Sequence, residues 1–177
     1  MKIAFIGCGK LGLPCAEEIV KAGHTVTGYD PAYIKDDRTF KKHNGLIDLK
    51  HTIPEAVKFA KIVFVAVPTP HDSSYDGRAP TAHLAPKDFD YTIVKQVLNE
   101  CNSVMNPAQM IVLISTVLPG TVRRELAPMI TSTRFVYNPY LIAMGSVDTI
   151  QLAIKGLQAQ YETANGYEGR MLSGKPP

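Results

Sequence analysis

Short, largely apolar runs alternate with amphipathic stretches along this chain. Runs with apolar or β-branched residues at consecutive positions are typical of strands buried on both faces. The predicted strands are Lys2–Ile6, Thr25–Tyr29, Leu46–Leu49, Ile62–Val67, Met110–Ile114 and Arg134–Tyr137. Apolar positions at helical spacing separate them. The predicted helices are Gly12–Ala22, Ala32–Lys42, Pro54–Ala60, Asp88–Ser103 and Thr121–Ile130.

Strands that alternate with helices predict the α/β class. The expected architecture is a Rossmann-type doubly wound parallel sheet with the strand order 3-2-1-4-5-6. With 177 residues, the chain is expected to form one domain. We place this domain at residues 1–156, with a last short strand over 149–155. Residues 157–177 are then predicted to be a tail, part helical and part frayed.

A long polar loop, from His71 to Pro86, follows the fourth predicted strand. Loops of this length in a compact domain usually have a function or are mobile. This one leaves the carboxyl end of a parallel strand, where open α/β sheets bind ligands. His71 and His83 lie too far apart for a compact set of metal ligands. No metal site is therefore predicted.

A glycine-rich segment, Gly7–Gly12, joins the first strand to the first helix. Strand, then G-x-G-x-x-G, then helix, is the arrangement of a dinucleotide-binding loop. The first glycine allows a sharp turn, the second lets a pyrophosphate approach the backbone, and the third lets the helix pack against the strand. The N–H groups at the helix start then hold the phosphates. In this segment, called the glycine loop below, the predicted cofactor-binding residues are Gly7, Gly9, Lys10, Leu11 and Gly12.

Asp30 stands at the end of the second predicted strand, 18 residues after Gly12. An acid about 20 residues beyond the glycines accepts hydrogen bonds from the adenosine ribose. Because a carboxylate repels a 2′-phosphate, Asp30 favours NAD over NADP. The alternative is a plain helix cap, since Asp30-Pro31 is also a good helix start.

Charge and cysteine content exclude several classes of protein. A formal net charge of +3, without a run of Lys or Arg, does not indicate a nucleic-acid partner. Three cysteines, none in a C-x-x-C pair, predict free structural thiols in a reducing compartment, and we expect a cytoplasmic protein. No apolar window reaches the roughly 18 residues that span a bilayer, so no membrane segment is predicted.

Four segments occur in the order found in one known family. The first runs from Lys2 through the glycine loop to Asp30, and the other three are Val65-Ala66-Val67-Pro68-Thr69-Pro70, Ser115-Thr116-Val117-x-Pro119-Gly120-Thr121 and Asn138-Pro139. Together they resemble the NAD-binding part of the UDP-glucose/GDP-mannose dehydrogenases over residues 1 to about 145. That family oxidises the C6 alcohol of a nucleotide sugar twice, to the acid, with two NAD molecules.

The resemblance implies roles for individual residues. Asp30 and Lys35 would hold the adenosine ribose. Thr69, with Val67 and Pro68 before it, would lie beside the ribose and the nicotinamide. Thr116 would bind the cofactor and would also be the candidate catalytic residue, because its hydroxyl could hold a water or the substrate oxygen. The implied cofactor is NAD, and the implied partner is a nucleotide-sugar substrate.

The sequence also departs from the family. Tyr140 and Met144 replace the two acids of the family's Asn-Pro-Glu-Phe-Leu-Arg-Glu-Gly segment, and neither can act as a carboxylate. No Gly-rich segment carries a thiol nucleophile. The chain ends near the point where the family's central helix begins, so a partner chain or a second copy would have to supply the substrate-binding parts.

Three interpretations remain open. The first is a shortened or diverged dehydrogenase that oxidises a sugar alcohol by hydride transfer to NAD. The second is a non-catalytic NAD-binding module, or one half of a split dehydrogenase. The third is a relative of the β-hydroxyacid dehydrogenases, which share the glycine pattern. The Val-Pro-Thr-Pro and Ser-Thr-Val-x-Pro-Gly segments argue against this third interpretation. The sequence leaves open whether the chain alone is an enzyme.

Overall fold

The computed structural model describes residues 1–35, 45–75, 78 and 80–139. Within these ranges the strands are Lys2–Ile6 (β1), Thr25–Tyr29 (β2), Asp48–Leu49 (β3), Ile62–Val65 (β4), Met110–Leu113 (β5) and Arg134–Tyr137 (β6). The α-helices of the same ranges are Gly12–Lys21 (α1), Pro31–Lys35 (α2), Ile53–Val57 (α3) and Thr92–Val104 (α4). Single 3₁₀ turns lie at Ser73–Tyr75 and Ala127–Met129, and a π-helical turn lies at Val122–Leu126.

The six strands form one sheet in the order β3-β2-β1-β4-β5-β6, and every neighbouring pair is parallel. The predicted Rossmann-type doubly wound sheet, with its strand order, is thus confirmed. The register aligns the last residues of five strands, so that Ile6 pairs with Tyr29 and Val65, Val65 with Leu113, and Leu113 with Tyr137. The segments that follow these strands therefore begin at one edge of the sheet.

Both faces of the central strands are covered. One face packs on α3 and α4 through a buried cluster that includes Ala4, Ile6, Val63, Val65, Ile111 and Leu113. On the other face, Phe5 stacks on Phe64 with ring centroids 4.8 Å apart. This two-sided burial explains why these strands are apolar at consecutive positions instead of alternating.

The predicted helix over Thr121–Ile130 is wrong in type. In its place, a π-helical turn is closed by the N–H of Ala127, which donates to the carbonyl of Val122, and a 3₁₀ turn follows. Pro128 accounts for the difference. Proline has no N–H to donate to the carbonyl four residues earlier, and its ring crowds that carbonyl.

Two helices have boundaries that side chains determine. Helix α4 begins at Thr92 rather than at the predicted Asp88, because Asp90 Oδ1 accepts the N–H of Thr92 at 2.8 Å. Helix α3 ends at Val57 rather than Ala60. The buried amide of Gln109 donates to the carbonyls of both residues, at 2.9 and 2.7 Å. These carbonyls at the helix end thus have a hydrogen-bond donor outside the helix.

Several predictions fall outside the described residues. They are the second half of the Ala32–Lys42 helix, the strand over 149–155, the domain boundary at 156 and the tail over 157–177. Met1–Pro139 forms one compact unit, to which all six strands belong. Among the helices that the structure describes, none has both the length and the hydropathy needed to cross a membrane.

The three cysteines provide a test of the core. All are free and buried. Burial raises the pKa of Cys8, Cys15 and Cys101 to about 12, and the Asp30 carboxylate adds to the effect at Cys8. Because the thiolate is the reactive form, we expect a thiol-disulfide reagent at pH 8 to label the native chain slowly and the guanidinium-unfolded chain at once. Rapid labelling of any thiol in the native chain would contradict this packing.

Candidate functional site

The carboxyl edge of the sheet brings the predicted site segments together. The N–H of Gly7 donates to Tyr29 at 2.9 Å, and that of Ala66 donates to Ile6 at 2.8 Å, so the chain leaves β1 and β4 at the same level. The strand order reverses between these two strands. A doubly wound sheet has its ligand crevice at such a reversal, outside the carboxyl ends of the strands.

The three glycines of the loop occupy three different environments. Gly7 has a φ of +91°, and a Cβ there would lie 2.4 Å from the carbonyl oxygen of Ala66. A Cβ at Gly12 would lie 1.9 Å from the carbonyl oxygen of Gly7. By contrast, apart from Gly9 itself and its two neighbours in the chain, no atom lies within 4 Å of the Cβ position of Gly9. Gly7 and Gly12 are therefore needed for packing, whereas Gly9 leaves its backbone open to a ligand.

The amino end of α1 is suited to an anion. The first N–H groups of a helix have no acceptor within the helix. In α1 the N–H of Leu13 donates to the carbonyl of Gly9 at 3.1 Å and Pro14 has no N–H, so the groups that can face an anion are those at and before Gly12. Leu11, which precedes α1, has no side-chain oxygen that could cap them, and the first turn carries no acid. Gly9 and Lys10 are both exposed beside this end. The positive end of the helix dipole thus faces an accessible segment of backbone.

Asp30 ties the glycine loop to β2. Its Oδ2 accepts the N–H of Cys8 at 2.9 Å, and its Oδ1 accepts the N–H of Ala32 at 2.9 Å. The second bond is the helix cap that the sequence left open as an alternative. Each carboxylate oxygen has a further lone pair, so the cap does not exclude bonds to sugar hydroxyls. The bond to Cys8 gave no sequence signal, because any residue in that motif position has the same N–H.

Tyr33 is a second support of the glycine loop that the sequence did not reveal. Its hydroxyl donates to the carbonyl of Cys8 at 2.6 Å. Burial, with the nearby Cys8 and Asp30, raises the pKa of Tyr33, so the hydroxyl remains a donor at neutral pH. The Cys8 side chain packs against Gly28, where an added Cβ would lie 2.9 Å from Sγ. Cys8 therefore fixes the loop through its N–H, its carbonyl and its side chain.

Ser115 joins the segments that follow β4 and β5. Its hydroxyl donates to the carbonyl of Val67 at 2.7 Å and accepts the N–H of Val67 at 2.9 Å. Only 6% of Ser115 is exposed. This bridge holds the start of Val67-Pro68-Thr69 beside Thr116, which is exposed. The structure thus places all the predicted site residues at the carboxyl edge except Lys35, whose side chain lies outside the described part.

The loop after β4 closes on itself. The N–H of Asp90 donates to the carbonyl of Pro70 at 2.8 Å, and Lys87 pairs with Asp72. Lys87 holds the pKa of the Asp72 carboxyl well below its usual range. Asp72 is thus the partner of Lys87, and the described residues contain no group of three His, Cys, Asp or Glu side chains that could hold a metal.

A cavity of about 590 Å³ lies at the other edge of the sheet, against the first residues of β1, β2 and β3. Phe59 and Lys58 line its rim, together with other residues near the start of these strands. It is remote from the glycine loop, since parallel strands separate their amino ends from their carboxyl ends. The fold defines a Rossmann-type domain, whose glycine loop lies at the ligand crevice of the carboxyl edge.

Comparison with known proteins identifies the family. The model of the UDP-glucose/GDP-mannose dehydrogenase family's NAD-binding domain matches residues 36–148, which is more than half of the chain. The chain therefore belongs to this family and contains its domain for the nicotinamide cofactor.

Two relatives of the chain are dehydrogenases of different types. UDP-N-acetyl-D-mannosamine dehydrogenase of Pyrococcus horikoshii is 27% identical over 140 residues, which cover 70% of this chain and 30% of that protein. A probable 3-hydroxyisobutyrate dehydrogenase of Mycobacterium tuberculosis is 37% identical over 67 residues, 38% of this chain and 22% of that protein. The chain thus spans less than a third of either relative.

A solved structure shows the same fold. GDP-mannose dehydrogenase of Pseudomonas aeruginosa, solved as a ternary complex, superimposes with a TM-score of 0.65 at 22% identity. The match covers 84% of this chain and 38% of that one.

The contrast between Gly9 and Gly12 predicts opposite phenotypes. Gly12→Ala forces α1 away from Gly7, and we expect it to lose about 2 kcal/mol of unfolding free energy or more. Gly9→Ala should change stability by less than about 0.5 kcal/mol but weaken binding of NAD at least about tenfold, because its methyl group occupies the phosphate approach. Urea unfolding and calorimetric titration measure the two effects.

Gly45→Ala is the matched control, since its Cβ position is also open but lies near His24 and Thr25, at the amino end of β2. It should change neither quantity. Wild-type affinity in Gly9→Ala would contradict the assignment of the phosphate site.

Proposed function

We propose that the chain binds NAD along the carboxyl edge of the sheet. The glycine loop holds the pyrophosphate, and Asp30 accepts hydrogen bonds from the adenosine ribose. The nicotinamide end then lies toward Val67-Pro68-Thr69 and Thr116. One observation carries this proposal. The open backbone at Gly9 and the carboxylate of Asp30 are linked through Cys8, so the two contacts that a dinucleotide needs are built as one unit.

The proposed reaction is oxidation of an alcohol of a nucleotide sugar. NAD, when bound, supplies the hydride acceptor. The residues of this chain bind and orient it. Thr116 is the candidate catalytic residue, because it is exposed after β5 and its hydroxyl can hold the substrate oxygen or a water. Ser115 fixes this position through its bridge to Val67.

We propose that none of the three cysteines of this sequence serves a second oxidation, from aldehyde to acid. Oxidation to the acid by way of a covalent thiol intermediate needs an accessible thiolate. Cys8, Cys15 and Cys101 are all buried, with pKa values near 12. Tyr140 and Met144 also stand where the family has acids. The substrate-binding region, and any second copy or partner chain that supplies it, belongs to this proposal.

Two other functions can be distinguished from this one. A non-catalytic NAD-binding module is supported by Tyr140 and Met144, which replace the two acids of the family's segment. Oxidation of a 3-hydroxy acid is supported by the identity with the mycobacterial relative. That identity covers 38% of the chain, whereas the match to the nucleotide-sugar dehydrogenase of Pyrococcus horikoshii covers 70%. The longer match favours the nucleotide sugar.

Cofactor choice tests the role of Asp30. We expect the wild-type chain to bind NAD more than about tenfold tighter than NADP, because Asp30 repels the 2′-phosphate. In Asp30→Asn the affinity for NAD should fall and the preference should shrink. Calorimetric titration with each cofactor measures both.

Asp48→Asn is the control for the loss of one negative charge, because Asp48 pairs with Lys50 on the surface at 2.7 Å, away from the loop. Its cofactor preference should stay as in the wild type. A wild-type chain that binds NADP as tightly as NAD would refute the assignment of Asp30.

Absorbance of NADH tests catalysis. The full chain is mixed with NAD and, one at a time, with UDP-sugars, GDP-sugars and 3-hydroxyisobutyrate. We expect a signal with a nucleotide sugar and a loss of at least about tenfold in rate for Thr116→Val, which keeps the shape but removes the hydroxyl. A signal with 3-hydroxyisobutyrate alone would favour oxidation of a 3-hydroxy acid. NAD binding without any signal would favour the non-catalytic module.

A further inference from the structure

The turn after β5, residues Ser115–Gly120, is held by two tyrosine hydroxyls. The N–H of Leu118 donates to Tyr91 Oη at 3.0 Å, and the N–H of Val117 donates to Tyr137 Oη at 3.3 Å. The two tyrosines come from different elements, one from the start of α4 and the other from the end of β6. The turn is therefore hydrogen-bonded to two separate elements of the fold. We call Ser115–Gly120 the β5 turn.

Tyr91 is itself oriented by a carboxylate. Its hydroxyl donates to Asp88 Oδ1, which also accepts the N–H of Phe89 at 2.8 Å. The same phenol oxygen then accepts from Leu118, so carboxylate, phenol and amide form one chain of hydrogen bonds. Only 5% of Tyr91 is exposed. Burial and the bond to Asp88 raise its pKa, which keeps the proton needed for this arrangement.

The β5 turn has few internal restraints. Pro119 has no N–H to donate. Gly120 has a φ of +87°, which lies in a region that glycine enters freely. The N–H of Thr121 does donate to the carbonyl of Leu118, at 3.2 Å. The tyrosine bonds therefore supply anchors for the middle of the turn, while Ser115 anchors its start.

We propose that Tyr91 and Tyr137 are positioning residues for the nicotinamide end of the cofactor. By holding Val117 and Leu118 they fix Thr116, the residue that precedes this pair at the crevice. The inference rests on the proposed function, since it requires NAD at the carboxyl edge. It assigns the tyrosines no contact with the glycine loop, so the adenosine and phosphate contacts should be independent of them.

ADP-ribose separates this role from a general structural one, because it contains the phosphates and both riboses but no nicotinamide. Calorimetric titration compares NAD with ADP-ribose in the full-length wild-type chain, Tyr91→Phe and Tyr137→Phe. We expect each variant to weaken NAD about fivefold, the equivalent of one lost hydrogen bond, and to leave ADP-ribose within about twofold. The control is Tyr75→Phe, because the Tyr75 hydroxyl bonds to the carbonyl of Ala85 within the loop after β4. This variant should change the affinity for neither ligand.

The outcomes are distinct. Equal weakening of both ligands, or no change in either, overturns the positioning role. A wild-type chain that binds neither ligand refutes the proposed function instead. Amide hydrogen exchange of the wild-type chain tests the two tyrosine bonds on which the inference depends, and this measurement is still possible if the variants fail to fold. The N–H groups of Val117 and Leu118 should be protected, and exchange at the rate of an unstructured peptide would overturn it.

Discussion

Close contact between the two outer glycines of the loop is the constraint on which the carboxyl edge depends. The carbonyl of Gly7 lies against Gly12, with no room for a side chain, and Gly7 in turn lies against the backbone of Ala66. This contact fixes the start of α1 relative to β1 and β4. The register brings the ends of β2 and β5 to the same level, so Asp30 and Ser115 follow their strands at this edge too.

The elements were predictable from the sequence where local forces determine them. Strands buried on both faces are apolar at consecutive positions, and the glycine loop is recognisable because its backbone geometry restricts the residue type. The π-helical and 3₁₀ turns at Val122–Met129 were not predicted, since the apolar spacing there favours a helix that Pro128 does not allow. In that segment, the missing N–H and the ring of proline outweigh the apolar spacing that favours a helix.

The candidate site residues have a clearer sequence signal than the residues that support them. Glycines and an acid at fixed spacing are a sequence signal, but the bonds that hold them join distant residues. Ser115 and Val67 are separated by 48 positions, and Tyr91 and Leu118 by 27. Such pairs result from strand order and register, which no local pattern encodes. A serine or tyrosine hydroxyl can serve many roles, so its partner is known only once the sheet is assembled.

Binding of the dinucleotide is the central claim, and the site of binding is its most direct test. An amide chemical-shift titration of the isotope-labelled chain with NAD reports each backbone N–H separately. The account predicts that the largest shifts occur at Gly9, Lys10 and Leu11, with smaller ones near Asp30 and Thr116. Shifts confined to the cavity at the opposite edge, around Lys50 and Phe59, or no shifts at all, would contradict it.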